Sequence, residues 1–219
     1  MERQIISQGD NLPPKKKVIN KVFVLIDKVL YSFKPFSKKE DGSTSISEND
    51  ITQDLERLLN DKSESELLPF RFQNQSKEVG KRSTSDMGIY LKGTTDPYFM
   101  WIEAKRLPTP EAGNRRDERE YVVVDKKYAG GGGISRFKMG EHASRLTNSI
   151  IIGYIQDFTF EYWFHKVNTW IKELSINEQN WEENDCIIEY GKGLCKQYQS
   201  SHRRPNGTNI ELRHFWVEV

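Results

Sequence analysis

One stretch limits the folds open to this chain more than any other: Ser83 to Leu107, STSDMGIYLKGTTDPYFMWIEAKRL. It reads as two β-strands, over residues 87–91 and 98–105. They are joined by Lys92-Gly93-Thr94-Thr95-Asp96-Pro97, a run of strand breakers. The second strand is a continuous apolar run bounded by turn signals, the pattern of a buried central strand. It then abruptly carries Glu103 and Lys105. Side chains two apart on a strand leave the same face, and Asp86, at the head of the first strand, reaches the same end of the sheet. Two carboxylates and an ammonium therefore converge beside an apolar core. Buried carboxylates repel one another and lose hydration, so the grouping calls for compensation. Hard oxygen ligands at partly open positions suit Mg²⁺ or Mn²⁺. Lys105 would then orient a water or offset charge developing on a phosphate.

Asp86, followed by Glu103-Ala104-Lys105 on an apolar strand, resembles the PD-(D/E)XK nuclease superfamily, restriction endonuclease-like proteins that cut nucleic acid at a metal site. The flanking pattern is similar too. Residues 48–60 (ENDITQDLERLLN) predict a helix, capped by Ser47 or Asn49, with Ile51, Leu55, Leu58 and Leu59 as its buried stripe. Residues 67–75 alternate as a half-buried strand does, so helix, strand, strand, strand succeed one another as in the αβββ opening of that core. The likeness spans about Glu48 to Asp157. It implies an α/β fold with an αβββαβ core, a central mixed sheet flanked by helices, plus an N-terminal helix and a C-terminal β extension. The division expected is 1–47, 48–176 and 177–219.

The resemblance also assigns roles. Asp86 and Glu103 would bind Mg²⁺ or Mn²⁺, helped by the Ala104 carbonyl and by Glu48. Glu48 shares the face of Ile51 and Leu55; its other reading is a partner for the helix dipole. Lys105 would position the attacking water or stabilise charge on the phosphoryl oxygens. The activity implied is divalent-dependent hydrolysis of phosphodiester bonds in DNA or RNA, in a restriction or anti-phage setting. The partner would be nucleic acid, DNA first, with the chain acting alone, as a homodimer or as a subunit of a larger defence complex. The competing reading is a binding module on the same fold that recognises nucleic acid or a protein without cutting.

The remaining segments add candidates. A helix is expected over 16–33, from Val18, Val22, Ile26, Val29, Leu30 and Phe33 at helical spacing. Residues 1–14 read as a tail, 37–47 and 109–120 as polar loops. Arg115, Arg116 and Arg119 either grip phosphates or pair with neighbouring acids. Residues 121–125 read as a short strand. Gly130 to Gly133 free the backbone for close approach of another chain, and Gly-Lys-Ser/Thr is absent, which disfavours a Walker phosphate loop. The helix beginning at Ile134 offers Arg136 and Lys138 to substrate phosphates, or is a plain basic surface start. Residues 149–156 form a buried strand, and 158–174 a helix whose aromatic stripe belongs to the core. A hairpin turning at Pro205-Asn206-Gly207 carries His202, Arg203 and Arg204, as a channel lining or a solvated turn.

Composition closes other routes. With 219 residues and a formal net charge of +1, any nucleic-acid surface must be local. No run approaches the roughly 20 apolar residues of a membrane span. Cys186 and Cys195 lack zinc spacing and read as reduced thiols of a cytoplasmic protein. The four histidines form no H-x-x-x-H pair, and neither G-x-S-x-G nor a strand-borne G-x-G-x-x-G occurs.

Overall fold

A computed structural model describes residues 15–35, 47–77, 84–94, 98–109, 117–125, 130–191 and 193–219. The expected tail over 1–14, most of the polar loop over 37–47, and Arg115 and Arg116 lie outside them. The molecule is α/β, a seven-stranded mixed sheet flanked by helices. Helix α1 (Lys15–Tyr31) and helix α2 (Glu48–Ser65) precede three strands, β1 (Phe70–Lys77), β2 (Thr84–Leu91) and β3 (Met100–Leu107). A 3-10 turn (Glu118–Tyr121) and a two-stranded ribbon, β4 (Val124–Asp125) with β5 (Gly130–Gly131), lead to the short helix α3 (Gly133–Lys138). Then come β6 (Asn148–Ile155), α4 (Phe160–Asn177), β7 (Ile188–Glu189), β8 (Lys196–Arg203) and β9 (Asn209–Glu218).

The sheet order is β1-β2-β3-β6-β9-β8-β7. β1, β2 and β3 are antiparallel neighbours; β6 runs parallel to β3, and β9 parallel to β6. The expected C-terminal β extension is thus part of the sheet itself, with β9 inside it between β6 and β8. Strand alternation separates two cores. Met100, Ile102 and Ala104 face α1 and α2 with Phe70, Phe72, Ile150 and Phe215. Trp101 and Leu107 face the other side, under α4, with Trp163, Val167, Ile171 and Trp216.

Helix α2 runs five residues beyond its expected end. Its apolar stripe stops at Leu59, but Ser63 is buried and donates to the Phe70 carbonyl at 2.6 Å. Asn60 accepts from Phe72 N at 2.9 Å and donates to Phe72 O at 3.0 Å, as a neighbouring strand would. These contacts cover part of the open edge of β1, a site otherwise prone to pairing with other chains. In β6, Gly153 lies under the buried Trp216 ring, where a Cβ would fall 2.5 Å from Cδ1. Trp216 is fully buried and donates to the Tyr121 hydroxyl at 2.8 Å, so it has no room to give. Gly153→Ala is expected to destabilise the protein by about 1–3 kcal/mol through overpacking, read from urea unfolding; an unchanged midpoint would refute this packing.

Candidate active site

The site begins where the sheet opens. β2 and β3 pair through Met87↔Ile102, Gly88↔Trp101 and Ile89↔Met100. No pairing continues toward Asp86, although β2 stays paired to β1 as far as Thr84. Opposite Asp86, Gln75 of β1 adopts φ +47°, a conformation uncommon outside glycine. The fork leaves β3 amides without a strand partner, and buried amides demand one. Side chains supply it. Ala104 N donates to Asp86 Oδ2 at 2.7 Å, and Arg106 N donates to Glu48 Oε2 at 3.1 Å. The Ala104 carbonyl accepts from Lys105 Nζ at 2.7 Å.

Glu48 reaches the fork because Ser47 caps α2: its hydroxyl accepts from Asp50 N at 3.2 Å, so Glu48 is the first helical residue. Thr52, one turn on, meets the Tyr154 hydroxyl of β6 at 3.1 Å and ties this end of α2 to the sheet. Lys105 Nζ then lies 3.3 Å from Glu48 Oε1, 3.1 Å from Glu103 Oε1 and 3.9 Å from Asp86 Oδ2. The four residues singled out from sequence for catalysis therefore share one cluster. Lys105 and Glu103 are almost wholly enclosed, whereas the Asp86 side chain is 24 % exposed.

Electrostatics differ sharply across the cluster. Burial and the neighbouring Glu103 charge push the Asp86 carboxyl up to about 7, against the pull of Lys105. Burial also opposes ionisation of Glu103, but Lys105, His142 and Arg136 overcome it and hold its carboxyl down at about 2. Burial works against the Lys105 ammonium, and the charges of Glu103, Glu48 and Asp86 more than reverse this, leaving its pKa above the ordinary lysine value.

Helix α3 closes the far side of Glu103. Its Gly133 packs so closely on the Tyr121 carbonyl that a Cβ would lie 2.7 Å away, so this glycine serves an approach within the chain. Arg136 Nη1 donates to Glu103 Oε1 at 3.0 Å. Just beyond the helix, His142 Nδ1 lies 3.0 Å from Ser85 Oγ and 3.4 Å from Glu103 Oε2. Glu103 Oε2 and His142 Nε2 are buried and make no hydrogen bond among the described residues. Sequence reading overlooked His142 and Ser85, since neither belongs to a spaced motif. The loop that carries His142 is held by Arg204, whose guanidinium donates to the carbonyls of Phe137, Ala143 and Leu146 at 3.0, 2.7 and 2.9 Å.

Lys138 and His202 lie elsewhere. Lys138, 2 % exposed, donates to Asp185 Oδ1 at 2.8 Å and to the Arg203 carbonyl at 3.3 Å. The Arg203 side chain is exposed. A buried chain continues from Asp185 to His202 Nδ1 (2.7 Å), from His202 Nε2 to Ser200 (2.7 Å), and on to His214 Nε2 (2.8 Å). It ends with His214 Nδ1 at the Tyr121 hydroxyl (2.8 Å), which accepts from Trp216. Burial lowers the pKa of both histidines. With both neutral, every donor is satisfied in one direction: Trp216, Tyr121, His214, Ser200, His202, Asp185. Ser200, His202 and Asp185 have the spacing of a nucleophile relay. Ser200, however, is only 4 % exposed and its oxygen already accepts from His214, so the chain is a structural strut.

Among the described residues no group of three or more His, Cys, Asp or Glu side chains is assembled to hold a metal ion; the fork carboxylates surround an ammonium instead. The donor set nevertheless fits a hard dication. It consists of carboxylate and carbonyl oxygens, burial and the Glu103 charge raise the Asp86 pKa despite Lys105, and among the described residues Glu103 Oε2 has no hydrogen-bond donor. A hollow of about 620 Å³ between α1 and α2, lined by Lys28, Val29, Phe33, Leu58 and Lys62 among others, shares no residue with the fork. No helix among the described residues is long and apolar enough to cross a membrane. No family model, curated protein or solved structure matches the chain, so the resemblance drawn from its sequence rests on these residues.

Two outcomes are expected. Asp86 has a folded-state pKa near 7 against an ordinary 3.8, so the folded protein binds the extra proton between those values. Its contribution to stability must fall as pH rises through that window. Asp86→Asn keeps an acceptor for Ala104 N. In chelator-treated buffer, the stability of wild type relative to Asp86→Asn should therefore decline from pH 5 to pH 8; parallel profiles would contradict the assignment. Lys138→Met should cost about 3–5 kcal/mol of stability by removing the buried cation paired with Asp185, whose carboxylate keeps only the hydrogen bonds from His202 and Glu182, yet leave any cleavage rate intact at temperatures where it is folded. A selective loss of cleavage would return Lys138 to the site.

Proposed function

We propose that the chain is a divalent-dependent nuclease of the PD-(D/E)XK type, hydrolysing phosphodiester bonds at the fork between β2 and β3. The observation carrying this reading is the convergence of Glu48, Asp86, Glu103 and the Ala104 carbonyl around Lys105 on the free edge of β3. The succession of α2, three antiparallel strands, α3 and the parallel β6 supports a restriction endonuclease-like core. Asp86, Glu103, Glu48 and the Ala104 carbonyl would hold Mg²⁺ or Mn²⁺, which when bound supplies Lewis-acid polarisation of the phosphoryl oxygens.

The protein's own groups do the rest. Asp86 and Glu48 are pinned by β3 amides and keep their geometry without induced fit. Lys105 stays an ammonium across the physiological range, so it acts as a fixed positive charge and not as a base. Its hydrogens can meet a water or the developing charge on a phosphoryl oxygen, a preorganised interaction that costs little at the moment of reaction. Arg136, paired with Glu103 and partly exposed, is a further cation for a substrate phosphate.

A second reading has one observation in its favour. Lys105 and Arg136 already neutralise much of the carboxylate charge, as in a module that binds nucleic acid without cutting. Mn²⁺ calorimetry separates the two, since a protein that takes up no dication cannot run the nuclease chemistry.

The direct test incubates the chain with Mg²⁺ or Mn²⁺ and linear, circular and single-stranded DNA and RNA. Cleavage should need the dication and fall by about two to three orders of magnitude in Glu103→Gln, whose circular dichroism stays that of wild type. Undiminished cleavage by purified Glu103→Gln would discard this site.

A further inference from the structure

Glu103 is held in an unusual way for a residue awaiting a metal ion. Its Oε1 takes two cations, Lys105 Nζ at 3.1 Å and Arg136 Nη1 at 3.0 Å, while its buried Oε2 has no hydrogen bond among the described residues. The two cations are not equivalent. Lys105 is 6 % exposed, rides on a central strand, and is fixed by Ala104 O and the surrounding carboxylates. Arg136 is 20 % exposed and rides on a six-residue helix. Among the described residues its guanidinium makes one hydrogen bond, to Glu103. A dication bound by Glu103 would face a guanidinium on the same oxygen, and like charges that close repel strongly. Of the two, Arg136 is the one free to leave. A released guanidinium is a planar fork suited to phosphate oxygens.

We propose that Arg136 is a resident counter-ion of Glu103 that gives way to the divalent cation and moves onto a phosphate of the incoming nucleic acid. This rests on the metal-site reading above and adds a regulation to it. Both ligands favour the state in which Arg136 has left Glu103, so each tightens the other's binding. The resting protein holds its metal weakly, and the site assembles fully when metal and polyanion are both present.

The test is Mn²⁺ calorimetry on the full chain, with and without a phosphorothioate DNA duplex, the heat of Mn²⁺ binding to the duplex alone being subtracted. Wild type should bind Mn²⁺ about tenfold more tightly with the duplex present. R136Q should bind Mn²⁺ about tenfold more tightly than wild type without DNA, and lose the dependence on DNA. R136K, which keeps the charge, should retain the weak resting affinity. A wild-type affinity indifferent to the duplex overturns the exchange and leaves the metal site standing, and this arm needs no variant. A folded R136Q that binds Mn²⁺ no better than wild type does the same. No Mn²⁺ binding by any of the proteins overturns the metal-site reading and the exchange together.

Discussion

Everything at the site depends on two backbone amides that a strand ought to have satisfied. Past Ile102, β2 turns away from β3, and the N–H groups of Ala104 and Arg106 are left facing a gap. Leaving such groups buried and unpaired costs about 1–3 kcal/mol each. Here the partners are the carboxylates of Asp86 and Glu48. The sheet therefore trades two strand contacts for two carboxyl groups, and with Glu103 the cluster requires positive charge. Lys105 provides it from within the strand, and Arg136 from helix α3. Charge, backbone satisfaction and the opening of the sheet are one arrangement, and removing any of them exposes the others.

That arrangement explains why neighbouring carboxyls behave so differently. Asp86 sits at the open lip, where burial and the Glu103 charge outweigh the pull of Lys105 and raise its carboxyl pKa. Glu103, deeper still, is flanked by Lys105, Arg136 and His142 and remains ionised. Pairs of carboxyls driven apart in this way are typical of reactive sites, though ion-pair networks produce them as well. What distinguishes the fork is that its donors are all hard oxygens around an opening at the end of β3.

The C-terminal half of the chain acts at a distance. β9 lies beside β6, and the hairpin it forms with β8 brings Arg204 under the loop after α3. The buried chain from Lys138 through Asp185, His202, Ser200 and His214 to Tyr121 joins α3, β8 and β9 into one block. Arg136 and His142 project from that block. Their position beside Glu103 is therefore decided by residues some 60 positions later in the sequence.

The sequence by itself determined what local period and spacing can carry. The β3 strand, the same-face placement of Glu103 and Lys105 and the inward face of Glu48 follow from repeats of 2 and 3.6 residues, whereas the cap of α2 was open between Ser47 and Asn49 until the structure placed Ser47 there. Asp86 was legible because a short hairpin leaves its partner strand little choice. Only the tertiary structure decided where β2 leaves β3, which basic side chains reach the site and which become struts. Arg136 and Lys138 are two apart on one short helix, yet one meets Glu103 and the other is buried against Asp185. His142 and Ser85, 57 positions apart, meet because the sheet and the loop after α3 bring them together. The partner of a charged side chain is set by chain segments distant in sequence, and no local pattern records it.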